Sequence, residues 1–302
     1  MTDARDGSAD DAASAGDVSG EVTIIQPKRG WIGLDPAELW RYRELLYFLV
    51  WRDLKVKYKM AVLGVLWAFA VPVVSMLIYG AVGSVAGFDE YLPEGTPYYV
   101  WMLAGLLPWL FVARNISEGG MALVNQQALM TKIYMPRLYL PAAACGGALV
   151  DLLIYFGLLC VVGAGFVLFG GWVPSWQVVF LPLLLIVTAA GALGLGLILS
   201  ALTVLYRDLR FLIPFGVQFG LWISAVPFPM RLFLDEDGRG GVRYWLFALN
   251  PVSGLVSGWR SAVTGTPWQP VHLTTAVVGS ALLLLIGLFY FRRVERRFAD
   301  IA

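Results

Sequence analysis

Histidine, cysteine and charged residues are all scarce in this chain of 302 residues. One His and two Cys cannot build a metal cluster from several imidazoles or thiolates. Cys145 and Cys160 fall in the same predicted helix, so they indicate neither a disulfide nor a metal pair. Only 14% of the residues are charged, whereas 59% are hydrophobic. Because this much apolar surface does not fit inside one soluble globule, the composition predicts a membrane protein.

The chain also lacks a phosphate-binding loop. None of its five Lys follows a Gly, which excludes the motif G-x-x-x-x-G-K-[ST]. Two Gly-rich stretches, GGMAL at 119–123 and GALGLG at 191–196, lie in apolar segments without a preceding strand. We expect their small residues to let helices approach closely rather than to hold a phosphate. The sequence indicates no catalytic residue, no metal site and no nucleic-acid partner, and any ATP is expected to bind to another chain.

Long uncharged runs predict an all-α polytopic membrane protein with six transmembrane helices. About 20 helical residues cross the roughly 30 Å hydrocarbon core, because each residue rises about 1.5 Å. Turn formers and Trp in GGWVPSWQ, at 170–177, divide the uncharged run after Asp151 into two spans. The segment 244–259 is too short to cross and contains Asn250-Pro251, so we predict an external re-entrant pair of half-helices between spans five and six. The predicted spans are 62–86, 98–124, 141–169, 178–205, 211–230 and 272–291.

Basic residues predict the orientation of these spans. Lys and Arg concentrate at 41–59, 132–137, 207–210 and 292–297. An even number of spans puts all four clusters on one side, and basic flanks stay cytoplasmic, so both termini are predicted to be cytoplasmic. The first 21 residues hold six acids among Ala, Gly and Ser, which predicts a disordered acidic tail. Residues 22–59 are then a cytoplasmic segment, and residues 60–302 are the transmembrane domain.

The stretch FLVWRDLKVKYKMAVLGVLWAF, at 48–69, places a dense basic cluster directly before an uncharged run that lasts until Asp89. Helical spacing puts one apolar face on Tyr47, Val50, Trp51, Leu54 and Tyr58, and a basic face on Arg52, Lys55 and Lys59. We predict an interfacial helix whose aromatic side chains lie at headgroup depth. The residues alone leave two roles open, a topology anchor and a docking surface for a partner.

Four stretches resemble, in this order, the permease subunit of type-2 ABC exporters for lipid-linked polysaccharides. They are ELWRYRELLYFLVWRDLKVKYKMAVLGVLW, LMTKIYMPRLYLP, LNPVSGLVSGWR and FRRVERRFADI. That family includes exporters of O-antigen, capsule and teichoic acid. The resemblance runs from about Gln26 to the C-terminus, and only Met60-Ala61 departs from the first motif, where the family is expected to have a polar pair.

The resemblance implies a multi-pass homodimer in the cytoplasmic (inner) membrane of a bacterium. Two copies of a separate ABC ATPase would bind ATP and Mg, so this chain would be no enzyme and would hold no cofactor. The substrate would be an undecaprenyl-linked polysaccharide that is moved outward. The alternative within the same fold is a permease for a drug or a small lipid.

The resemblance also assigns roles to segments of the chain. Residues 36–59 would form the interface helix, in which Trp51, Arg52, Lys55 and Lys59 are the residues of interest. Residues 125–137 would contain the helix that docks on the ATPase, and residues 244–263 would close the exit. The predicted docking residues are Gln127, Ala128, Thr131, Lys132, Tyr134 and Arg137.

A polytopic membrane enzyme that acts on a lipid-linked sugar is the competing class of function. Such an enzyme would need clustered carboxylates or His at a membrane face. Asp235, Glu236 and Asp237 are the only acidic cluster of that kind, and adjacent acids in a Gly-flanked loop are usually a solvated turn. The sequence therefore favours a permease, which should copurify with an ATPase.

Two charged residues within predicted spans are expected to pair. A lone charge at membrane depth costs about 2.5–3.5 kcal/mol, and Arg114 and Asp151 lie at similar depths in spans two and three. We predict a buried ion pair between them, with Glu118 as a competing partner at i, i+4. A contact of Arg114 with a substrate diphosphate is the alternative role.

An aromatic stripe on predicted span five is the candidate conduit for a glycan. Phe211, Phe215, Phe219 and Trp222 recur at helical spacing. Aromatic rings cover the apolar C–H faces of sugars without requiring fixed hydrogen bonds, so a chain can slide past them. The alternative is that the stripe packs against neighbouring helices or lipid.

Overall fold

The computed structural model describes residues 40–59, 64–130, 132, 135–170, 172–234 and 240–295. Over these residues the protein is helical, and one isolated bridge between Leu234 and Gly240 is the only β pairing. The predicted acidic tail at 1–21, Met60-Ala61 and the acids at 235–237 lie outside the described residues.

Eleven α-helices follow one another in the described part of the chain. They are α1 (Arg43–Lys59), α2 (Gly64–Val85), α3 (Tyr98–Arg114), α4 (Ala122–Asn125), α5 (Gln127–Met130), α6 (Tyr139–Gly170), α7 (Leu181–Leu205), α8 (Leu209–Ile223), α9 (Val242–Ala248), α10 (Pro251–Thr264) and α11 (Pro270–Glu295). Short 3₁₀ turns cover Phe88–Tyr91, Trp176–Phe180 and Met230–Phe233, and a π turn covers Asn115–Gly119.

Five helical segments in the described residues are long and apolar enough to cross a membrane. They are Ala68–Val85, Tyr98–Gly119, Tyr139–Gly170, Trp176–Leu205 and Pro270–Glu295. The chain is thus an all-α, multi-pass membrane protein. The predicted break at 170–177 corresponds to the end of α6 and the 3₁₀ turn before α7.

The structure corrects the predicted fifth span, 211–230. The helix α8 has 15 residues and ends at Ile223, which gives about 22 Å at roughly 1.5 Å per residue. After it, Ala225 takes a positive φ of 53°, and Pro227 and Pro229 follow. Proline lacks the N–H that a helix needs, and a positive φ breaks its geometry. Lack of charge marked an apolar segment but not the residue at which its helix ends.

The two ends of the bundle are defined by what they carry. The first, which we call the α1 end, holds α1, α4, α5 and the C-terminus of α11, where Arg137 donates to the carbonyl of Glu295 at 3.0 Å. The second, the α10 end, holds the three 3₁₀ turns, α9 and α10. Asn250 begins α10 by accepting a hydrogen bond from the N–H of Val252 at 3.0 Å, which is a side-chain N-cap before Pro251.

The helix α3 lies at the centre of the bundle. Most of its side chains are buried, and they pack against α2, α6 and α10. A second apolar cluster at the α1 end joins Leu49, Leu123, Leu140, Leu197 and Phe291. These two clusters place the helix α1 against the body of the transmembrane helices.

The Gly-rich stretches lie at close helix contacts, as the sequence predicts. A Cβ on Gly194 of α7 would come within 2.4 Å of the backbone of Leu283 in α11, and one on Gly287 would come within 2.5 Å of the Gly194 carbonyl oxygen. Gly119 and Gly196 also face each other at the π turn, where a Cβ on either would be within 3.4 Å of the other chain segment. Small residues therefore allow these backbones to approach.

Candidate functional site

The carboxylate of Asp151, in the middle of α6, is the centre of a charged cluster. Its side chain is 1% exposed and forms ion pairs with Arg114 of α3 and with Lys57 of α1. Tyr58 of α1 donates its hydroxyl to the other carboxylate oxygen. Arg114 also donates to Glu118 at 2.9 Å. We call these five residues the Asp151 cluster.

The Asp151 cluster brings the predicted pair Arg114 and Asp151 into direct contact and adds partners that the sequence did not indicate. Both carboxylates of the cluster contact Arg114, so Glu118 is a second partner rather than a substitute for Asp151. Lys57 and Tyr58 come from α1, so the cluster ties this helix to the transmembrane helices α3 and α6. Pairing offsets the desolvation cost of these charges, which a lone buried charge would carry in full.

The titration of the α1 groups follows from their surroundings. Burial, and then repulsion from the Arg114 guanidinium, lower the pKa of Lys57 to about 8, while Glu118 opposes part of this shift. Burial raises the pKa of Tyr58, which keeps its phenol neutral and able to donate to Asp151. The 38% exposure of the Lys57 side chain places the cluster at a boundary between the protein interior and its surroundings.

The face of α1 that packs on the protein shares Val50 and Tyr58 with the predicted apolar face but does not include Tyr47 and Trp51. Leu49 is the buried residue of α1, and Leu45, Leu46 and Val50 pack beside it. Tyr47 and Trp51 are 69% and 48% exposed and stack on each other with ring planes 9° apart. Their exposure leaves these two aromatics available to the membrane interface, where the sequence predicts them, because they lie on a strip of the helix beside the packing residues.

Residues predicted on the basic face of α1 have distinct surroundings. Arg52 pairs with Asp53 and donates to the Gln126 side chain at 2.9 Å, which ties α1 to the α4–α5 segment. The Lys55 ammonium lies 5.7 Å from the Trp51 ring centroid, and Lys59 is exposed.

The predicted docking segment at 125–137 is only partly described. Gln127, Ala128 and Lys132 are exposed, whereas Thr131 and Tyr134 lie outside the described residues. Arg137 is half-buried and donates to the carbonyl of Glu295 at the end of α11. A contact with a carbonyl so distant in sequence cannot be read from a local pattern.

The predicted aromatic stripe lies along an exposed face of α8. Phe211, Phe215, Phe219 and Trp222 are 75%, 59%, 61% and 48% exposed. We call these four residues the α8 stripe. Its last ring, Trp222, makes an edge contact with Tyr79 of α2, with ring centroids 6.3 Å apart. On another face of the helix, a Cβ on Gly220 would lie 2.5 Å from the Trp109 ring of α3, so α8 rests on the central helix.

A second buried arginine, Arg260 of α10, lies at the opposite end of the bundle and was not singled out from the sequence. Its side chain is 5% exposed and donates to the carbonyls of Ala225 and Val226, the first at 3.0 Å. Its guanidinium carbon lies 3.4 Å from the Trp101 ring centroid. Arg260 ends the motif LNPVSGLVSGWR, and the rule that charges in apolar segments find partners would have pointed to it.

Known proteins resemble this chain over most of its length. A family model described as ABC-2 type transporter matches residues 44–264. An O-antigen export system permease of Myxococcus xanthus is 31% identical over 227 residues, which cover 74% of this chain and 82% of that protein. An O-antigen export system permease of Klebsiella pneumoniae is 23% identical over 259 residues, which cover 85% of this chain and 95% of that protein.

Proposed function

We propose that this chain, which belongs to the ABC-2 type transporter family, is the transmembrane permease subunit of an ATP-driven exporter of lipid-linked polysaccharide. The observation that carries the proposal is the similarity to two O-antigen export permeases over most of the length of each. Neither relative favours the alternative of a drug or small-lipid permease. A permease moves its substrate without covalent chemistry, which agrees with a sequence that offers no candidate catalytic residue.

The orientation follows from the positive charges. Lys57, Lys132 and Arg207 belong to the α1 end, which is therefore the cytoplasmic end in this proposal, with both termini on that side. The α10 end is then external. In this arrangement α8 is the fifth of six spans, short because the chain turns at Ala225, and α9 with α10 forms the external re-entrant pair before the sixth span, α11.

A separate ABC ATPase supplies the energy in this proposal, because this chain has no phosphate-binding loop. Its docking surface is the exposed part of α5 with Lys132, next to α1. The contact of Arg52 with Gln126 joins that surface to α1, and the Asp151 cluster joins α1 to α3 and α6. A displacement of the docking surface would thus reach the transmembrane helices through hydrogen bonds and ion pairs.

The α8 stripe forms the conduit in this proposal, in a homodimer whose second copy presents the same stripe across the axis. A long glycan needs a continuous wettable path, and exposed aromatic rings offer it apolar faces at intervals. The stripe runs along α8 from the α1 end toward the α10 end. It therefore leads from the side on which the glycan is synthesised toward the side on which the glycan is released. The contact of Trp222 with Tyr79 places α2 beside it.

The experiment is complementation of a host strain from which this permease has been deleted. We expect the intact chain to restore surface glycan and to copurify with an ABC ATPase. Replacing Phe215 and Phe219 together by Ala should lower export about tenfold or more while dimer assembly and basal ATP hydrolysis persist, because large rings are lost from an exposed face.

Replacement of Val278 and Leu285 by Ala, two exposed apolar residues of α11, is the matched control and should leave export near normal. Surface glycan that persists in the deletion strain would contradict the permease function. Normal export by the Phe215 and Phe219 double variant would contradict only the proposal that the α8 stripe forms the conduit.

A further inference from the structure

A cavity at the α10 end lies apart from both the Asp151 cluster and the α8 stripe. Its volume is about 390 Å³, within the range of small-ligand sites. It is an open cleft lined by the loop after α2, the turn after α8, the helices α9 and α10, and the start of α11. Aromatic and polar side chains dominate its lining, among them Tyr91, Tyr244, Trp245, Ser257, Gln269 and His272.

His272 holds two hydroxyl groups at the wall of this cavity. Its Nδ1 lies 2.9 Å from Ser257 Oγ, and its Nε2 lies 3.2 Å from the Tyr244 hydroxyl. A neutral imidazole has one N–H and one acceptor nitrogen, so it accepts from one hydroxyl and donates to the other. In either tautomer, the hydroxyl that accepts keeps its own proton. The relay therefore presents one O–H donor, together with oxygen lone pairs, to whatever occupies the cavity.

Aromatic surface accompanies this relay. Trp245 and Tyr91 are 45% and 36% exposed, and Tyr244 packs edge-on against Trp245 with ring centroids 5.7 Å apart. The negative face of such a ring attracts the weakly positive C–H groups of a flat, polar molecule. Aromatic faces beside groups that both donate and accept hydrogen bonds match a ligand with C–H faces and hydroxyl edges.

The charge of the cavity wall further limits which class of ligand fits. Arg260 lines the cavity with 5% of its side chain exposed, and its Nε has no hydrogen-bond partner among the described residues. Arg231 lines it as well, and the described lining contains no carboxylate. Two guanidinium groups at the wall favour a ligand that presents oxygen acceptors.

We propose that this cavity binds a single pyranose unit of a saccharide at the α10 end of each protomer. Trp245 stacks on the sugar ring, and the hydroxyls of Tyr244 and Ser257 bond to its hydroxyl groups. The assignment of the sugar to exported glycan rests on the proposed function, whereas the geometry of the pocket does not. A cavity of this size takes one sugar unit rather than a polymer, so it is distinct from a continuous conduit.

The test is saturation-transfer NMR on the purified permease with its ATPase in lipid nanodiscs. The probes are methyl glycosides of glucose, galactose, mannose and N-acetylglucosamine, and the repeat-unit oligosaccharide released from the host's exported glycan by mild acid. The acyclic polyol xylitol serves as the probe without a ring. We expect a saturable signal from at least one pyranoside, and none from xylitol, because stacking needs a ring face.

Two variants connect the signal to the pocket. Tyr244→Phe keeps the ring and removes one hydroxyl, and it should weaken the dissociation constant about fivefold. Trp245→Ala removes the stacking face and should weaken it about tenfold. Trp176→Ala is the matched control, because Trp176 is 73% exposed at the same end but does not line the cavity, and it should bind as the intact chain does.

Each outcome decides between the pocket and the export function. The proposal that the cavity binds a pyranose is overturned if no pyranoside and no repeat unit gives a saturable signal. It is also overturned if Trp245→Ala binds the sugar as tightly as the intact chain does. If the deletion strain loses surface glycan while no sugar binds, the result supports the export function and contradicts only the proposed sugar site. If the deletion strain keeps its glycan, the export function falls even where a sugar binds in the Trp245-dependent manner.

Discussion

Arg114 and Arg260 are both largely buried, but they lie toward opposite ends of the bundle and have different partners. Arg114 forms ion pairs with Asp151 and Glu118, and Lys57 shares the first of these carboxylates. Arg260 has no carboxylate partner in the described part of the chain. Main-chain carbonyls of Ala225 and Val226 and the face of Trp101 take that place.

The two sets of partners determine which elements each arginine joins. The carboxylates around Arg114 come from α6 and from the π turn after α3, and side chains of α1 reach the first of them, so this site connects long helices to a peripheral one. The carbonyls around Arg260 come from the turn that ends α8, where Ala225 holds a positive φ that a non-glycine residue rarely adopts. Arg260 thus stabilises an irregular turn by bonding its carbonyls, which are backbone groups that need partners when buried.

The largest effect is expected from removing the carboxylate of Asp151. Asp151→Ala leaves the charges of Arg114 and Lys57 without their shared partner, and the loss of one member of a buried pair costs about 3–5 kcal/mol. We expect little folded protein in the membrane, measured by the yield of monodisperse permease after detergent extraction and by its thermal unfolding. Glu118→Ala should cost about 1 kcal/mol or less, because Glu118 is 49% exposed.

A double variant separates charge from packing at this site. Asp151→Asn combined with Arg114→Gln removes both charges and keeps side chains of similar size. It should be more stable than Asp151→Asn alone, because the Arg114 charge is then no longer left without its carboxylate, whereas Arg114→Gln alone leaves Asp151 paired with Lys57. A double variant as unstable as the sum of the two single variants would show that the ion pair is not what stabilises the cluster.

A smaller loss of stability is expected at Arg260, the arginine at the α10 end, from a substitution that adds one carbon atom beside it. A Cβ on Gly105 of α3 would lie 2.4 Å from Arg260 Nε, so Gly105→Ala must displace the guanidinium from its carbonyls. Overpacking of this kind costs about 1–3 kcal/mol, measured as a lower midpoint of thermal unfolding. Gly157→Ala is the matched control, since nothing lies within 4 Å of that Cβ and Ala favours a helix.

The coupling of Gly105 with Arg260 sharpens this prediction. Arg260→Ala should remove most of the penalty of Gly105→Ala, because the clashing group is then absent. A double variant whose destabilisation equals the sum of the single ones would locate the cost of Gly105→Ala elsewhere.

The comparison also shows what a sequence can and cannot specify in this protein. Lack of charge, turn residues at 170–177 and the Asn250-Pro251 break are local signals, and each corresponds to an observed helix or helix end. The contact of Arg114 with Asp151 could be anticipated because a bilayer leaves a buried charge few partners. These inferences need only local composition and depth.

The remaining features depend on how separate segments meet in space. The approach of Lys57 and Tyr58 to Asp151 depends on the tilt of α1 over α6, which no spacing rule supplies. The turn after α8 has two carbonyls bonded by Arg260, which lies 34 and 35 positions later, and no local pattern supplies that contact. The hydrogen bond of Arg137 could not be predicted either, because the carbonyl that it bonds belongs to the distant end of α11.

The smallest effect is expected from an exposed charge at the α1 end that belongs to neither arginine site. Lys132→Glu reverses a charge on the proposed docking surface, which is worth about 1 kcal/mol for an exposed ion pair, or about fivefold in affinity for the ATPase. We expect transport-coupled ATP hydrolysis to fall by a similar factor at limiting ATPase, and to recover as the ATPase concentration rises, because the binding step alone is weakened. Arg243→Glu makes the same reversal at the exposed surface of the α10 end and should leave hydrolysis unchanged.

A cysteine at Gln127 should also crosslink to the ATPase, whereas a cysteine at Arg243 should not. If both reversals lower hydrolysis equally, or if the Gln127 position never crosslinks, the ATPase docks elsewhere and the two ends of the bundle do not differ in the way proposed.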